Sequence, residues 1–162
     1  GTGTQLAIID DTVAAAFSPG GTRLVVSGDS GTRLLDADTG RETIITAEQF
    51  DRLAFSPDGH LIGARDRNGV VHLLNAKNLT ELFTLAYPIA PHSPLMFNSN
   101  SQVFATIAAD SHALQLWDVA TGNMVFSLDF PVLRAINVTF SPDGSLLAVA
   151  FDDGSILLWG IP

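Results

Sequence analysis

The chain has 162 residues, enough for a domain with its own apolar core. Apolar residues make up 46 % of it and charged residues only 15 %, which excludes a disordered, highly charged chain. The formal charge is −9 and the pI about 4.5, so we expect neither nucleic acid nor an anionic membrane as a partner, because Lys and Arg dominate the recognition of both.

The chain contains no cysteine, which excludes disulfides, thiolate metal sites and cysteine nucleophiles. No apolar run reaches the length of a membrane-spanning helix, and the N-terminal segment lacks the basic and apolar regions of a signal peptide. We therefore expect a cytoplasmic protein. The first residue is Gly rather than Met, so we expect that the chain was processed or excised from a longer one.

In chain order, the sequence alternates short apolar segments with a recurring turn motif. The first copy is Phe17-Ser18-Pro19-Gly20-Gly21, and related motifs begin at Phe55, Phe97 and Phe140. Ser-Pro-Asp-Gly suits a type I turn, because Pro presets φ at the second position and Gly is favoured at the fourth. The copies follow one another at intervals of about 40 residues, a spacing typical of repeat architectures.

A second landmark ends an apolar segment in each copy and repeats with the same period. It occurs at Leu35-Asp36, Leu74-Asn75, Trp117-Asp118 and Trp159-Gly160. The segments between the landmarks are rich in Val, Ile, Leu and Thr and carry no helical period, which predicts short strands. Two independent landmarks with one period predict four tandem structural repeats.

The last copy shows the predicted strands of one repeat: strand a over about 135–140, strand b over about 146–151 and strand c over about 155–159. In the other three copies a fourth strand, d, follows at 42–46, 81–86 and 124–128. These patterns predict four structural repeats over about 11–46, 51–86, 93–129 and 134–160, with a strand over 3–9 that completes the last one.

The repeated residues resemble the blade of the WD-repeat (tryptophan–aspartate repeat) family. The resemblance covers essentially the whole chain and is best at 114–122 and 152–159. It implies an all-β fold, a β-propeller of four-stranded antiparallel blades. The family's Gly-His pair is absent from every copy, so its buried His–Ser–Asp–Trp network cannot form in full here. The residues that carry the blade signature are Phe17, Phe55, Phe140, Trp117, Asp118 and Trp159.

The last predicted blade ends at strand c, and the N-terminal segment reads like the missing strand d. Thr2-Gly3 corresponds to Thr121-Gly122, which leads into strand d of the third copy. An open strand edge invites aggregation, and propellers avoid it by closing a ring. We expect two chains to share strands in a homodimer that forms an eight-bladed ring. A four-bladed monomer and other assemblies, including a three-chain ring, are the alternatives.

From the sequence we expect that the protein is not an enzyme and that it has neither a cofactor nor a metal site. The four histidines occupy different places in different copies, without a ligand spacing between any two: His60, His72, His92 and His112. The aspartates of the predicted b–c turns are expected to cap those turns through backbone amides two residues further on. No single loop has the density of oxygen ligands that calcium needs.

In the WD-repeat family the d–a and b–c loops lie on one face of the disc, and here those loops are acidic. A protein or peptide partner, possibly basic, is the functional hypothesis for this face, and a solvated rim is the alternative. The candidate residues are Asp10, Asp11, Asp29, Glu48, Asp66, Arg67, Asp110, Arg134, Asp152 and Asp153. Phe50, Tyr87, Phe130 and Pro131 lie near the same loops and could anchor a partner or pack between blades.

The resemblance implies a non-catalytic scaffold for protein–protein interaction. Fold alone does not specify function, so other readings stay open. These are a structural fragment of a longer WD-repeat array, a regulatory propeller attached to a kinase or ATPase, and a propeller hydrolase.

Overall fold

A computed structural model describes residues 8–161, and within that range every regular element is a β-strand. The strands form four antiparallel sheets that follow one another along the chain. The predicted all-β class is therefore confirmed. None of the described residues forms a helix long and apolar enough to cross a membrane.

The first three sheets are four-stranded meanders in which each strand pairs with the next one in the chain. The first contains β1 (Ala14–Phe17), β2 (Arg23–Gly28), β3 (Gly31–Asp36) and β4 (Glu42–Thr46). The second contains β5 (Arg52–Phe55), β6 (Leu61–Arg65), β7 (Val71–Asn75) and β8 (Glu81–Thr84). The third contains β9 (Met96–Phe97), β10 (Val103–Ile107), β11 (Ala113–Asp118) and β12 (Met124–Asp129).

The fourth sheet has three strands: β13 (Ala135–Phe140), β14 (Leu146–Phe151) and β15 (Ile156–Gly160). The predicted bounds of strands a and b are confirmed, and strand c is shifted by one residue. Within residues 8–161, β14 is the only strand that pairs with β15. The strand predicted over 3–9 falls mostly outside the described residues, and Ile8 and Ile9 lie in no strand.

The Ser-Pro turns form as the sequence predicts. In each of the three complete motifs the fourth-position Gly donates its amide to the Ser carbonyl at 2.8 Å and has a positive φ, which Gly adopts without steric cost. The third copy lacks the Ser-Pro-Asp-Gly sequence, and Ser101 takes the place of the Gly. Its φ is 61°, and its amide donates to the Asn98 carbonyl at 3.0 Å. The motif therefore sets the connection between strands a and b in all four sheets.

The core consists of three apolar clusters of described residues, each shared by two consecutive sheets. Val25 and Leu34 meet Ile62 and Leu74 between the first and second sheets. Leu73 meets Phe104 and Trp117 between the second and third, and Leu116 meets Val138 and Leu147 between the third and fourth. The sheets therefore stack side by side in a row. No cluster within residues 8–161 joins the fourth sheet to the first.

One buried tryptophan retains part of the hydrogen-bond network expected for the family. The Trp117 indole donates to Thr106 Oγ1 at 2.9 Å, and Thr106 Oγ1 lies 3.5 Å from Gln115 Oε1. Neither His nor Asp takes part in these contacts. The bonds nevertheless join strands b and c of the third sheet within its core.

Candidate interaction surface

The b–c turns and d–a loops emerge together at one end of the sheets, because each sheet is an antiparallel meander. Contacts between different sheets align these ends: Arg67 Nη2 lies 2.9 Å from Asp29 Oδ1, and Arg52 Nε donates to the Pro91 carbonyl at 3.2 Å. We call this surface the loop face. It consists of residues 8–13, 29–30, 47–51, 66–70, 85–95, 108–112, 130–134 and 152–155.

The a–b and c–d turns lie at the opposite end and are aligned in the same way. The Arg23 guanidinium donates to the Ala76 carbonyl at 2.5 Å and to the Gly59 carbonyl at 2.9 Å, which joins the first sheet to the second. Asp58 N donates to Ser101 Oγ at 3.1 Å and joins the second sheet to the third. Hydrogen bonds therefore connect the turns of the first three sheets at this end.

Three of the predicted face residues cap b–c turns. Asp66 Oδ1 accepts the amides of Asn68 and Val70 at 2.9 and 2.8 Å. Asp110 and Asp153 each accept the amide two residues further on, at 3.0 and 2.8 Å. The Ser155 hydroxyl, together with its amide, lowers the pKa of Asp153. The predicted turn capping is therefore confirmed at these three positions.

Asp11 holds the segment before the first sheet against the first b–c turn. Its carboxylate accepts the Ser30 hydroxyl and, at 2.9 Å, the Ser30 amide. The Ser30 hydroxyl is the main cause of the lowered pKa of Asp11. Asp11 has a φ of 57°, and the neighbouring Asp10 carbonyl accepts Arg33 Nη2 at 2.9 Å. Asp11 is therefore a structural contact, while the Asp10 side chain is exposed.

Arginine side chains offset part of the acidic charge of the loop face. Arg67 pairs with Asp29, and Arg65 pairs with Asp51 at 2.5 Å while being buried. Arg134 is exposed, and its amide lies 3.4 Å from Asp152 Oδ1. Acidic side chains that are exposed on or beside this face include Asp10, Glu48, Asp110, Asp129, Asp152 and Asp153.

Two of the four candidate anchors are buried between sheets. Phe50 lies 5.4 Å from the His72 ring, and Phe130 packs edge-on against Phe151 at 4.8 Å. The alternative that these two pack between blades is therefore the correct one. Tyr87 is exposed, with its ring centroid 6.4 Å from Trp117, and Pro131 is exposed as well.

The histidines make separate local contacts. His60 lies in an a–b turn, and His92 Nε2 is 3.0 Å from the Ala135 carbonyl. His72 lies on β7 with Nδ1 2.6 Å from Glu81 Oε2, and His112 Nδ1 is 3.0 Å from the Leu133 carbonyl. Among the described residues, no three His, Asp or Glu side chains are grouped so that they could hold a metal ion.

Sequence reasoning missed a buried hydroxyl pair beneath the first b–c turn. Ser27 Oγ and Thr32 Oγ1 lie 2.8 Å apart, Phe50 N donates to Ser27 Oγ at 2.8 Å, and Thr32 Oγ1 donates to the Glu48 carbonyl at 2.7 Å. These bonds attach the d–a loop to its own sheet. Two polar residues on either side of a turn, within otherwise apolar strands, are the signal that could have revealed the pair.

Stacked antiparallel meanders with apolar clusters between them define the blades of a propeller-type protein. A sequence profile described as "WD domain, G-beta repeat" matches residues 121–160, which include β12 to β15. Together with the similar proteins below, this match assigns the chain to a family: it belongs to the WD-repeat family.

The chain is 32 % identical over 132 residues to eukaryotic translation initiation factor 3 subunit I of Kluyveromyces lactis, covering 75 % of this chain and 35 % of that protein. It is 27 % identical over 128 residues to small ribosomal subunit protein RACK1z of Arabidopsis thaliana, covering 67 % and 38 %. It is 32 % identical over 107 residues to mouse telomerase protein component 1, covering 66 % and 4 %. The chain thus spans well under half the length of these relatives. At the level of the family, they indicate a protein-interaction scaffold.

Proposed function

We propose that this chain is a non-catalytic scaffold that binds a protein or peptide through its loop face. The observation that supports the proposal is that loops of consecutive sheets lie side by side on one face, where Arg67 of the second sheet contacts Asp29 of the first and Arg52 contacts Pro91 in the loop that leads to the third. Loops held by a rigid β scaffold can present a composite surface that no single loop could form. The names of all three relatives above refer to a subunit or a component, which accords with a role in assembly.

We propose further that the partner is a basic segment, because exposed carboxylates outnumber exposed arginines on the loop face. A fluorescently labelled oligo-arginine peptide is a suitable probe, with binding followed by anisotropy at low and high salt. The variant Asp10→Asn/Glu48→Gln removes two exposed charges that have no role in turn capping, and we expect it to weaken binding severalfold. Binding should also weaken with salt, since surface charges are screened.

The matched control changes the net charge by the same two units away from the loop face, in Asp38→Lys, at an exposed turn residue. If both variants bind the peptide equally, or if neither differs from the wild type, the loop face is a solvated rim. Screening at high salt without any difference between the variants would indicate attraction by net charge alone.

We also propose that two copies share strands and close an eight-bladed ring as a homodimer. The supporting observation is the three-stranded fourth sheet, in which β15 is an edge strand within the described residues. Light scattering on a tag-free sample tests this: we expect about 34 kDa, twice the 17.1 kDa of one chain. A mass of about 17 kDa would mean a monomer and would contradict the ring.

A further inference from the structure

The fourth sheet presents a surface that the other three sheets bury. Each sheet has a forward face toward the next sheet in the chain and a rear face toward the preceding one. Equivalent leucines on the forward faces of the first three sheets each belong to the cluster shared with the following sheet: Leu34, Leu73 and Leu116. They are 2 %, 0 % and 8 % exposed, whereas Leu158 at the same position of the fourth sheet is 64 % exposed.

A second position on the same strands shows the same contrast. Thr32, Val71 and Leu114 are buried, whereas the equivalent Ile156 is exposed. Leu146 adds a third exposed apolar side chain on the neighbouring strand. The solvated side of an antiparallel sheet normally carries polar residues, and contiguous exposed apolar patches mark interaction sites. The residues of this forward face therefore indicate a surface that is covered by a partner.

The first sheet has the complementary exposed residue on its rear face. The phenylalanines that end strand a of the second, third and fourth sheets each pack into the cluster shared with the preceding sheet: Phe55, Phe97 and Phe140. Phe17 occupies the same position in the first sheet, belongs to none of the three clusters and is 63 % exposed. No described sheet precedes the first one. Val26 and Leu35 on the same rear face are each 2 % exposed, so the exposed part of this face is the part around Phe17.

We call the three interfaces between consecutive sheets the internal joints. Each of them brings together the same two positions of the repeat. Leu34 shares a cluster with Phe55, Leu73 with Phe97, and Leu116 with Phe140. One chain thus carries a forward-face leucine without its phenylalanine and a rear-face phenylalanine without its leucine, on sheets at opposite ends of the row.

We infer that the forward face around Leu158 binds the rear face around Phe17 of a second copy of this chain. The new joint repeats the three internal ones, and this inference rests on the proposed two-copy ring. Each copy offers both surfaces, so two identical head-to-tail joints can close the assembly. The occupant is a second copy because Leu158 and Phe17 occupy the two positions that meet in each of the three internal joints.

The absence of native cysteine allows a direct cross-linking test. Phe17→Cys and Leu158→Cys are prepared as separate chains, refolded together and treated with a short bismaleimide. We expect a covalent product of about 34 kDa from the mixture, because each mixed dimer has one joint that contains both thiols. Either variant alone should stay at about 17 kDa, since the two joints of a ring are far apart.

Two controls calibrate the reaction. Leu34→Cys/Phe55→Cys places both thiols in an internal joint, and loss of both thiols with the mass of a single added reagent molecule shows that the reagent spans such a joint. Phe17→Cys mixed with Val132→Cys tests random collision, because Val132 is exposed and lies on the loop face. We expect no covalent dimer from this second mixture.

The outcomes separate the joint from the proposed ring. A cross-link with Leu158→Cys alone would mean that two fourth sheets face each other, which overturns the head-to-tail joint but keeps a dimer. A reacted internal control without a cross-link between positions 17 and 158, in a sample of about 34 kDa, overturns the joint alone. A wild-type mass of about 17 kDa with no cross-link overturns both.

Discussion

Trp117 and Trp159 occupy equivalent positions in the third and fourth repeats, but their environments differ. Trp117 is 1 % exposed and donates its indole N–H to Thr106 Oγ1, whereas Trp159 is 37 % exposed and packs beside Phe126 at 5.7 Å. A large aromatic side chain contributes most when it is fully buried and its polar atom has a partner. The same signature residue should therefore contribute different amounts to stability in the two sheets.

Trp117→Phe should lower the free energy of unfolding by about 1–3 kcal/mol, because it leaves a cavity and removes the partner of a buried hydroxyl. Urea denaturation followed by circular dichroism measures the change. Trp159→Phe is the matched control and should cost clearly less. Equal losses for the two variants would mean that burial at this position does not set its contribution.

Asp143 supports the turn of the fourth copy through hydrogen bonds that favour its ionised form. Its Oδ1 accepts the Ser141 hydroxyl at 2.5 Å and the Ser145 amide at 3.1 Å. The Ser141 hydroxyl, followed by the Ser145 amide and hydroxyl, lowers the pKa of Asp143 from 3.8 to about 2. The folded state therefore binds this proton less readily than the unfolded chain.

Asp143→Asn should lower Tm near neutral pH, and the difference from the wild type should shrink as pH falls. The sign follows from the lowered pKa: the stabilisation is fully present above about 3.8 and is lost as pH falls through about 2. Thermal melts across that range, with Asp38→Asn as the control at another exposed turn, provide the measurement. A deficit that stays constant down to pH 2 would show that ionisation of Asp143 is not the cause.

At the scale of elements, the connections between strands depend on close approaches of the backbone. Gly28 ends β2 beneath the segment that leads into β1, and a Cβ at Gly28 would lie 1.8 Å from the Asp11 carbonyl oxygen. Gly20 lies in the first Ser-Pro turn, where a Cβ would meet no atom within 4 Å. The two glycines thus differ in steric constraint.

Gly28→Ala should destabilise the fold by about 1–3 kcal/mol, because the backbone around Asp11 must move to admit the methyl group. Gly20→Ala should be close to neutral, and urea denaturation of both variants makes the comparison. If Gly28→Ala were as stable as Gly20→Ala, the 8–13 segment would not lie against the first b–c turn as described.

At the scale of the whole molecule, the described sheets form a row with three internal joints and two apolar ends. Each joint buries a forward face against a rear face. Leu158 stays exposed on the forward face at one end of the row, and Phe17 stays exposed on the rear face at the other end, where Val26 and Leu35 are buried. Burial of apolar area is the main favourable term in association. An assembly that covers both ends should therefore be more stable than a single chain.

The Tm of the wild-type chain should rise by several degrees when the chain concentration is raised a hundredfold, because association stabilises only the folded state. Leu158→Glu should remove this dependence while its far-ultraviolet circular dichroism stays unchanged, since Leu158 is exposed in the single chain. Val132→Glu, at an exposed loop position, should keep it. A Tm independent of concentration in the wild type would contradict association through the apolar ends.

Local patterning predicted much of the molecule. The Ser-Pro turns depend on residues adjacent in sequence, and the alternation of apolar and polar residues sets strands such as β13 and β14. The bounds of strand d were less accurate: β8 ends at Thr84 rather than at residue 86. Backbone pairing with a neighbouring strand decides where an outer strand stops, and that pairing is not encoded locally.

The environments of the candidate site residues were harder to predict, because they depend on contacts between separate segments of the chain. The acidic b–c turns were predictable because an Asp and the amides it caps are two to four residues apart. The burial of Phe50 and Phe130, the pairing of Arg65 with Asp51 and the contact of Asp11 with Ser30 were not predictable from the sequence. Each joins residues from separate segments, and a polar or aromatic loop residue looks the same in sequence whether it is exposed or covered.

The number of repeats, the all-β class and the Ser-Pro turns thus follow from the amino-acid sequence, because they reflect short-range sterics and a period repeated four times. Only the tertiary structure decided which apolar faces are matched and which are left open. Leu34, Leu73, Leu116 and Leu158 are identical as residues and equivalent in the repeat, yet Leu158 alone is exposed. The physical reason is that the burial of a sheet face depends on whether another sheet follows it, which is a property of the row and not of the repeat.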